Sequence, residues 1–250
     1  MKIKTYGISD MGKIRELNED SFGIFNSGEE FGCFAILADG MGGHNAGEVA
    51  SSMAVDLVSA ELEKTVCERD KKTIVYNILS AIDYANKKIF DLSVKDLSKS
   101  GMGSTLAIAY LNGSEMYFAN IGDSRAYVIE NKEINQITVD HSLVQEMVEK
   151  GMITKEEAKH HPEKNLITRA LGTEPFAEAD IFEYSAALGD VVLLCSDGLV
   201  DMLDDEEILS TIAENENIED AAKKLVEKAN DAGGHDNITV VVLKFEEEEV

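Results

Sequence analysis

Four aspartates in this chain share one context. Asp39 follows the apolar run 33–38 (CFAILA) and precedes Gly40, and Asp197 follows the run 191–196 and precedes Gly198. Asp123 lies between two apolar segments in Asn120-Ile121-Gly122-Asp123-Ser124-Arg125, and Asp236 stands just before the apolar segment 238–245. A further acidic pair, Glu19-Asp20, closes Arg15-Glu16-Leu17-Asn18-Glu19-Asp20. A carboxylate at the end of a buried segment is costly unless it is paired, hydrogen-bonded or bound to a cation. Taken singly, each aspartate also fits an ordinary turn, since Asp-Gly is a common turn dipeptide. Taken together, converging carboxylates would repel one another and hold their protons more tightly. Hard divalent cations remove that repulsion and prefer oxygen ligands. Mg2+ or Mn2+ therefore suits the set better than zinc, which favours histidine and cysteine. The segment 39–48 adds four glycines, Gly40, Gly42, Gly43 and Gly47. Glycine lets main-chain oxygens approach an ion closely.

Strands must deliver these carboxylates. Residues 33–38, 104–111, 115–121, 125–130, 191–196 and 238–245 are short and rich in Val, Ile, Leu, Phe and Tyr, which predicts strands. Asn112-Gly113 separates two of them and Glu130-Asn131-Lys132 follows a third, so direct hairpins and antiparallel pairing are expected. Helical periodicity appears in three places. Val49, Ala50, Met53, Ala54, Leu57 and Val58 share one face, as do Ile78, Leu79, Ile82, Ala85 and Ile89, and Ala221, Ala222, Leu225, Val226 and Ala229. Capping boxes at Ser142/Gln145 and Thr154/Glu157 predict two short helices separated by Gly151. Hairpin runs beside helix pairs indicate an α+β fold: two antiparallel sheets packed as a sandwich and covered by helices. The whole chain, 1–250, reads as one domain, with a helical flap inserted at about 142–170.

The formal net charge is −25, from 48 acids against 23 bases. Such a field repels phosphate backbones and argues against nucleic acid as a partner. No apolar run reaches the roughly 20 residues of a membrane span, and the first residues lack the apolar centre of a signal peptide, so a cytoplasmic address is expected. Cys33, Cys67 and Cys195 are odd in number and form no Cys-x-x-Cys, which argues against a disulfide framework or a cysteine zinc site. Arginine does not follow any of them by six residues, as cysteine-based phosphate chemistry would need; those positions hold Asp39, Thr73 and Asp201. Gly7 to Lys13 nearly spells a P-loop, but Ile14 replaces the Ser or Thr that would ligate Mg2+.

Seven motifs occur in a fixed order: Arg15-x-x-Asn18-Glu19-Asp20, Asp39-Gly40-Met41-Gly42-Gly43, Gly103-Ser104-Thr105, Gly122-Asp123-Ser124-Arg125, Asp140-His141-Ser142, Ser196-Asp197-Gly198-Leu199 and Asp236-Asn237. In this the chain resembles the metal-dependent serine/threonine protein phosphatases of type 2C, particularly their single-domain bacterial members, from about Tyr6 to Phe245. The resemblance implies an α-β-β-α sandwich and hydrolysis of phosphoserine and phosphothreonine with two or three Mn2+ or Mg2+ ions. It implies that Asp39 bridges two cations, that the Gly40 carbonyl binds one, and that Asp197 and Asp236 bind the other. Glu19 and Asp20 would hold metal-bound waters, Asn237 would support them, and Asp123 would share a third cation with Asp197. Arg15 would grip the substrate phosphate, and a water between two cations would be acidified enough to attack phosphorus. Eukaryotic members carry a histidine where this chain has Met41, which leaves leaving-group protonation unassigned; His44 is a candidate general acid on proximity alone, its other reading being a residue that fixes the glycine loop. His141 reads as structural, and His160 and His161 as exposed flap residues. Phosphorylated proteins and a serine/threonine kinase acting on the same substrates are the implied partners, with the chain a monomer. A non-catalytic relative that binds phosphoproteins is the alternative.

Overall fold

The computed structural model describes residues 2–26, 31–42, 46–66 and 68–247. These form two antiparallel sheets. The first contains β1 (Lys2–Asp10), β7 (Arg125–Glu130), β8 (Glu133–Gln136), β10 (Val191–Cys195) and β11 (Ile238–Glu246), in the order β1-β11-β10-β7-β8. The second contains β2 (Asp20–Asn26), β3 (Phe31–Met41), β5 (Leu106–Asn112), β6 (Glu115–Ile121) and β9 (Asp180–Ser185), in the order β2-β3-β5-β6-β9, with the short β4 (Gly103–Ser104) paired to β3.

Alternation along each strand builds three apolar layers, because successive side chains point to opposite faces. Cys33, Ala35 and Leu37 of β3 meet Val241, Leu243 and Phe245 of β11 between the sheets. The other face of β3, Phe34, Ile36 and Ala38, packs under α1 (Ala46–Leu62) and α2 (Lys71–Lys95). The other face of β11, Ile238, Val240 and Val242, packs under α5 (Asp197–Val200), α6 (Asp205–Glu214) and α7 (Ile218–Asp231). The result is the expected α-β-β-α sandwich. Gly7 lies within β1, paired along its length with β11, so the near-P-loop segment opens in a strand.

Both expected hairpins form. Asn112 pairs with Glu115 across a turn in which Gly113 has φ +68°. Glu130 pairs with Glu133, and both turn residues, Asn131 and Lys132, take positive φ; a two-residue hairpin of this hand requires that. The helix α3 (Leu143–Glu149) is capped by Ser142, whose hydroxyl accepts from the Gln145 N–H. The reciprocal half of that box is missing, because the Gln145 amide donates to Glu149 instead. The box at α4 (Lys155–Lys159) is complete, with Thr154 and Glu157 each accepting from the other's backbone N–H. The returning chain ties to the start of α3 through the bridge Ser142 to Ile167. Cys33 and Cys195 are buried free thiols; Cys67 lies outside the described residues. His160 is exposed as expected, whereas His161 is half-buried, its Nδ1 accepting from the Glu163 N–H.

Candidate metal centre

The period of two that fills the sandwich with apolar side chains also makes one end of it polar. Continuing the inter-sheet face of β3 past Ala35 and Leu37 leads to Asp39; continuing that of β2 back past Phe22 leads to Asp20. The same step leads to Thr105 before β5, Ser124 before β7, Ser196 after β10 and Thr239 at the start of β11. Register brings Asp20 opposite Asp39 in adjacent strands. Hydroxyls then bridge the sheets. Ser196 and Thr239 both donate to Asp20 Oδ2, at 2.8 and 2.6 Å, and Thr105 and Ser124 are bonded at 2.7 Å.

Asp39 is fixed by its backbone. Its N–H donates to Thr105 Oγ1, while its carbonyl accepts from the Thr105 N–H and the Ser104 hydroxyl. The next residue has no room for a side chain: a Cβ on Gly40 would lie 2.1 Å from the Gly47 carbonyl oxygen and 2.6 Å from that of Glu19. Only glycine lets the chain pass there. The loop carrying Arg15 is pinned by Asn237, which accepts from the Glu19 N–H and donates to the Met11 and Leu17 carbonyls.

The carboxylates interact as like charges. Burial pushes the Asp39 carboxyl well above its ordinary range, and Asp20, Asp197, Asp123 and Asp236 push it further. Burial and then Asp123, Asp236, Asp201 and Asp20 do the same to Asp197. Asp20 is raised by burial to about 6 even though Thr239 and Ser196 donate to it. Asp123 is raised to about 6 by burial and by Asp140. Glu19 is raised as well, by burial against the opposing pull of Arg15. Repulsion of this kind is what convergence of the five aspartates would produce.

Arg15 is drawn to the same point. Its guanidinium donates to Asp236 Oδ2 at 2.7 Å. Burial opposes its charge, but Asp236 holds its proton more tightly than usual. The arginine expected to grip phosphate thus pairs with one of the expected cation ligands, across 221 residues of sequence. Its sequence neighbours Glu16 and Glu19 are not the partner, because the chain turns Arg15 toward the start of β11.

Among the described residues, no three acidic, histidine or cysteine side chains close on one point as a finished cation cage. Two of the five aspartates are turned onto protein donors: Asp20 Oδ2 onto hydroxyls, and Asp236 Oδ2 onto Arg15. The oxygens left over are informative. Asp20 Oδ1 and Asp197 Oδ1 are buried without any hydrogen-bond partner. Buried carboxylate oxygens with no donor fit a hard divalent cation. His44 lies outside the described residues, as do Gly43 and Asn45.

Sequence reasoning does not reveal the layer of hydroxyls beneath the carboxylates. Ser196 belongs to the motif Ser196-Asp197-Gly198-Leu199 and Thr239 to the expected strand 238–245, and neither has a role assigned by the sequence, although each places a hydroxyl in a run of Val, Leu and Ile. That break in an apolar run was the available signal. Asp140, part of the motif Asp140-His141-Ser142, has a structural partner that the motif does not announce. It receives a fork from Arg125, with Nε at 3.0 Å from both carboxylate oxygens and a terminal nitrogen at 2.7 Å from Oδ2, and it also accepts from Gln136.

Comparison with known proteins agrees with this geometry. The profile of the family Protein phosphatase 2C matches residues 6–238. The chain is 40% identical to the serine/threonine phosphatase stp of Listeria monocytogenes over 236 residues, covering 94% of this chain and 93% of that one. Its fold superposes on the serine/threonine phosphatase of S. agalactiae with a TM-score of 0.92 at 34% identity, covering 98% of this chain and all of the other. The catalytic domain of the phosphatase PstP in complex with two manganese ions is also similar, with a TM-score of 0.84, 35% identity and coverage of 98% and 99%. The chain belongs to the protein phosphatase 2C family and is a metal-dependent protein serine/threonine phosphatase.

Proposed function

We propose that Asp20, Asp39, Asp123, Asp197, Asp236 and the Gly40 carbonyl are the cation ligands of this phosphatase, and that Arg15 is its phosphate anchor. The observation that carries this reading is the pair of buried, unpartnered oxygens, Asp20 Oδ1 and Asp197 Oδ1, amid carboxylates that raise one another's proton affinity. Mn2+ or Mg2+ bound there would acidify water and offset charge on the phosphoryl group. Arg15 has the fork geometry to bind two phosphoryl oxygens, and it lies half-exposed at the rim. Ser196 and Thr239 orient Asp20; Ser104 and Thr105 orient Asp39; Asn237 holds the Arg15 loop.

In this reading the chain is a single domain whose segment 142–170 acts as a flap, a monomer in the cytoplasm. It removes phosphate from serine and threonine of proteins phosphorylated by a serine/threonine kinase. Support for that setting is the family itself and the net charge of −25. No helix among the described residues is long and apolar enough to cross a membrane.

The test is hydrolysis of a phosphothreonine peptide by the purified chain, first with chelator and then with Mn2+ or Mg2+ restored. The expected result is loss and full return of activity in the wild type, and no return in Asp197→Asn. Full activity of Asp197→Asn with metal would overturn the ligand assignment.

A further inference from the structure

His141 stands outside the cation-ligand set, yet it joins the Asp123 turn to the segment 142–170. Its ring is buried, and Nδ1 lies 3.2 Å from the backbone nitrogen of Gly122. A backbone N–H can only donate, so Nδ1 must be the unprotonated acceptor, and the neutral ring carries its proton on Nε2. Nε2 lies 3.2 Å from Asp180 Oδ2, the acceptor that proton needs; Arg169, 3.3 Å from Nε2, is a donor as well and so makes no hydrogen bond to the ring in this tautomer. Arg169 in turn donates to Asp180 Oδ1 at 3.0 Å. Asp180 opens β9 opposite Asn120 of β6, so sheet register delivers it beside the Gly122 turn. The main chain repeats the connection. The His141 N–H donates to the Gly122 carbonyl at 2.9 Å, and the His141 carbonyl accepts from Thr168 at 2.7 Å, where the chain returns from α4. Leu143 N–H then donates to the Leu166 carbonyl. Gly122 itself has φ +100°, and a Cβ there would lie 2.6 Å from Thr105 Cγ2. The turn presenting Asp123 is therefore held in an unusual backbone conformation by contacts on both sides, and His141 grips both its N–H and its carbonyl.

We propose that His141 is a positioning residue that fixes the Gly122–Asp123 turn to the root of the 142–170 segment through its Nδ1, and that this tie sets the placement of Asp123. The proposal rests on the reading of Asp123 as a cation ligand.

Two isosteric variants separate this from a purely structural role. In His141→Asn, the amide oxygen can take the place of Nδ1 and accept from Gly122. In His141→Gln, the amide reaches toward Asp180 but leaves the Gly122 N–H without its acceptor. Hydrogen exchange is followed by mass spectrometry in chelator, and turnover of a phosphothreonine peptide is titrated with Mn2+. The expected result for His141→Gln is at least tenfold faster exchange in both 119–125 and 142–149, with about a tenfold rise in the Mn2+ concentration giving half-maximal turnover. His141→Asn is expected to recover most of both effects. Asp180→Ala, which removes the acceptor of Nε2 without touching Gly122, is expected to move the same two segments less, about threefold, and serves if His141→Gln does not fold. Faster exchange confined to one of the two segments, an unchanged Mn2+ dependence in His141→Gln, or equal damage from Asn and Gln would each overturn the coupling. Asp123→Ala run in parallel tests the underlying reading: an unchanged Mn2+ dependence there would remove Asp123 from the ligand set, while the exchange of the two segments would still decide whether His141 couples them.

Discussion

Two buried acidic neighbourhoods lie side by side in this molecule and are treated in opposite ways. Asp140 is met by a fork from Arg125, whose remaining nitrogen donates to the Tyr127 hydroxyl, with Gln136 completing the set. Charge and hydrogen-bonding capacity are matched by protein groups, and Arg125 holds its proton well beyond the usual range despite burial, because Asp140 and Tyr127 face it. Asp39 and Asp197, nearby at the same end of the sandwich, are met mostly by further carboxylates, and Asp197 Oδ1 is left with no donor. Both neighbourhoods have paid the cost of taking charge out of water. Only one has its compensation within the chain. A matched buried pair holds structure, and removing half of it leaves an uncompensated charge. An unmatched cluster is destabilising by itself and is suited to an external cation.

This contrast can be broken at each side. The largest effect is expected from Asp197→Asn, which should lower turnover of a phosphothreonine peptide with Mn2+ at least a thousandfold, or about 4 kcal/mol. The same variant should melt at a higher temperature than wild type in chelator, because a repulsive charge is gone. A lower melting temperature would place Asp197 with the structural acids. Next, Arg125→Ala should destabilise the fold by about 3 kcal/mol in urea, since Asp140 remains buried and unpaired. A loss under about 1 kcal/mol would mean the pair is no better compensated than the cluster.

A smaller effect should appear with pH. Asp20 and Asp123 titrate near 6 in the folded chain, against about 4 when unfolded. Between those values the folded state holds more protons than the unfolded one, so stability falls as pH rises. Metal-free protein should lose about 2 kcal/mol between pH 4.5 and 6.5 by urea titration, with a shallower slope in Asp123→Asn. Stability that rises over that window would contradict the repulsion argument. The smallest effect is expected far from both acidic regions: Thr154→Ala removes a complete capping box and should loosen α4 by about 1 kcal/mol, seen as faster exchange in 155–159.

The inner strands were legible because they are buried on both faces and read as continuous apolar runs. All six expected segments fall on β3, β4 with β5, β6, β7, β10 and β11. The strands that escaped notice, β1, β8, β2 and β9, are the four edges of the two sheets. Edge strands face solvent on one side and carry charges such as Lys2, Lys4, Glu133 and Glu183, which hide the alternation. The helix α6 was also missed, although Asp204 and Glu207 form a complete capping box at its start.

The sequence by itself determined which residue types were present to bind cations, and the glycines and apolar runs that would carry them to strand ends. Those are local properties, written in composition and in a period of two. Tertiary structure decided the rest. Asp20 came to face Ser196 and Thr239 through packing of one sheet on the other, 176 and 219 residues away. Arg15 found Asp236 rather than a neighbouring glutamate, and His141 met the Gly122 turn through both its ring and its backbone N–H. Each of these partnerships joins residues whose separation along the chain carries no pairing signal, because side-chain charge and hydrogen bonding act over a few ångströms and only the folded sandwich brings them that close.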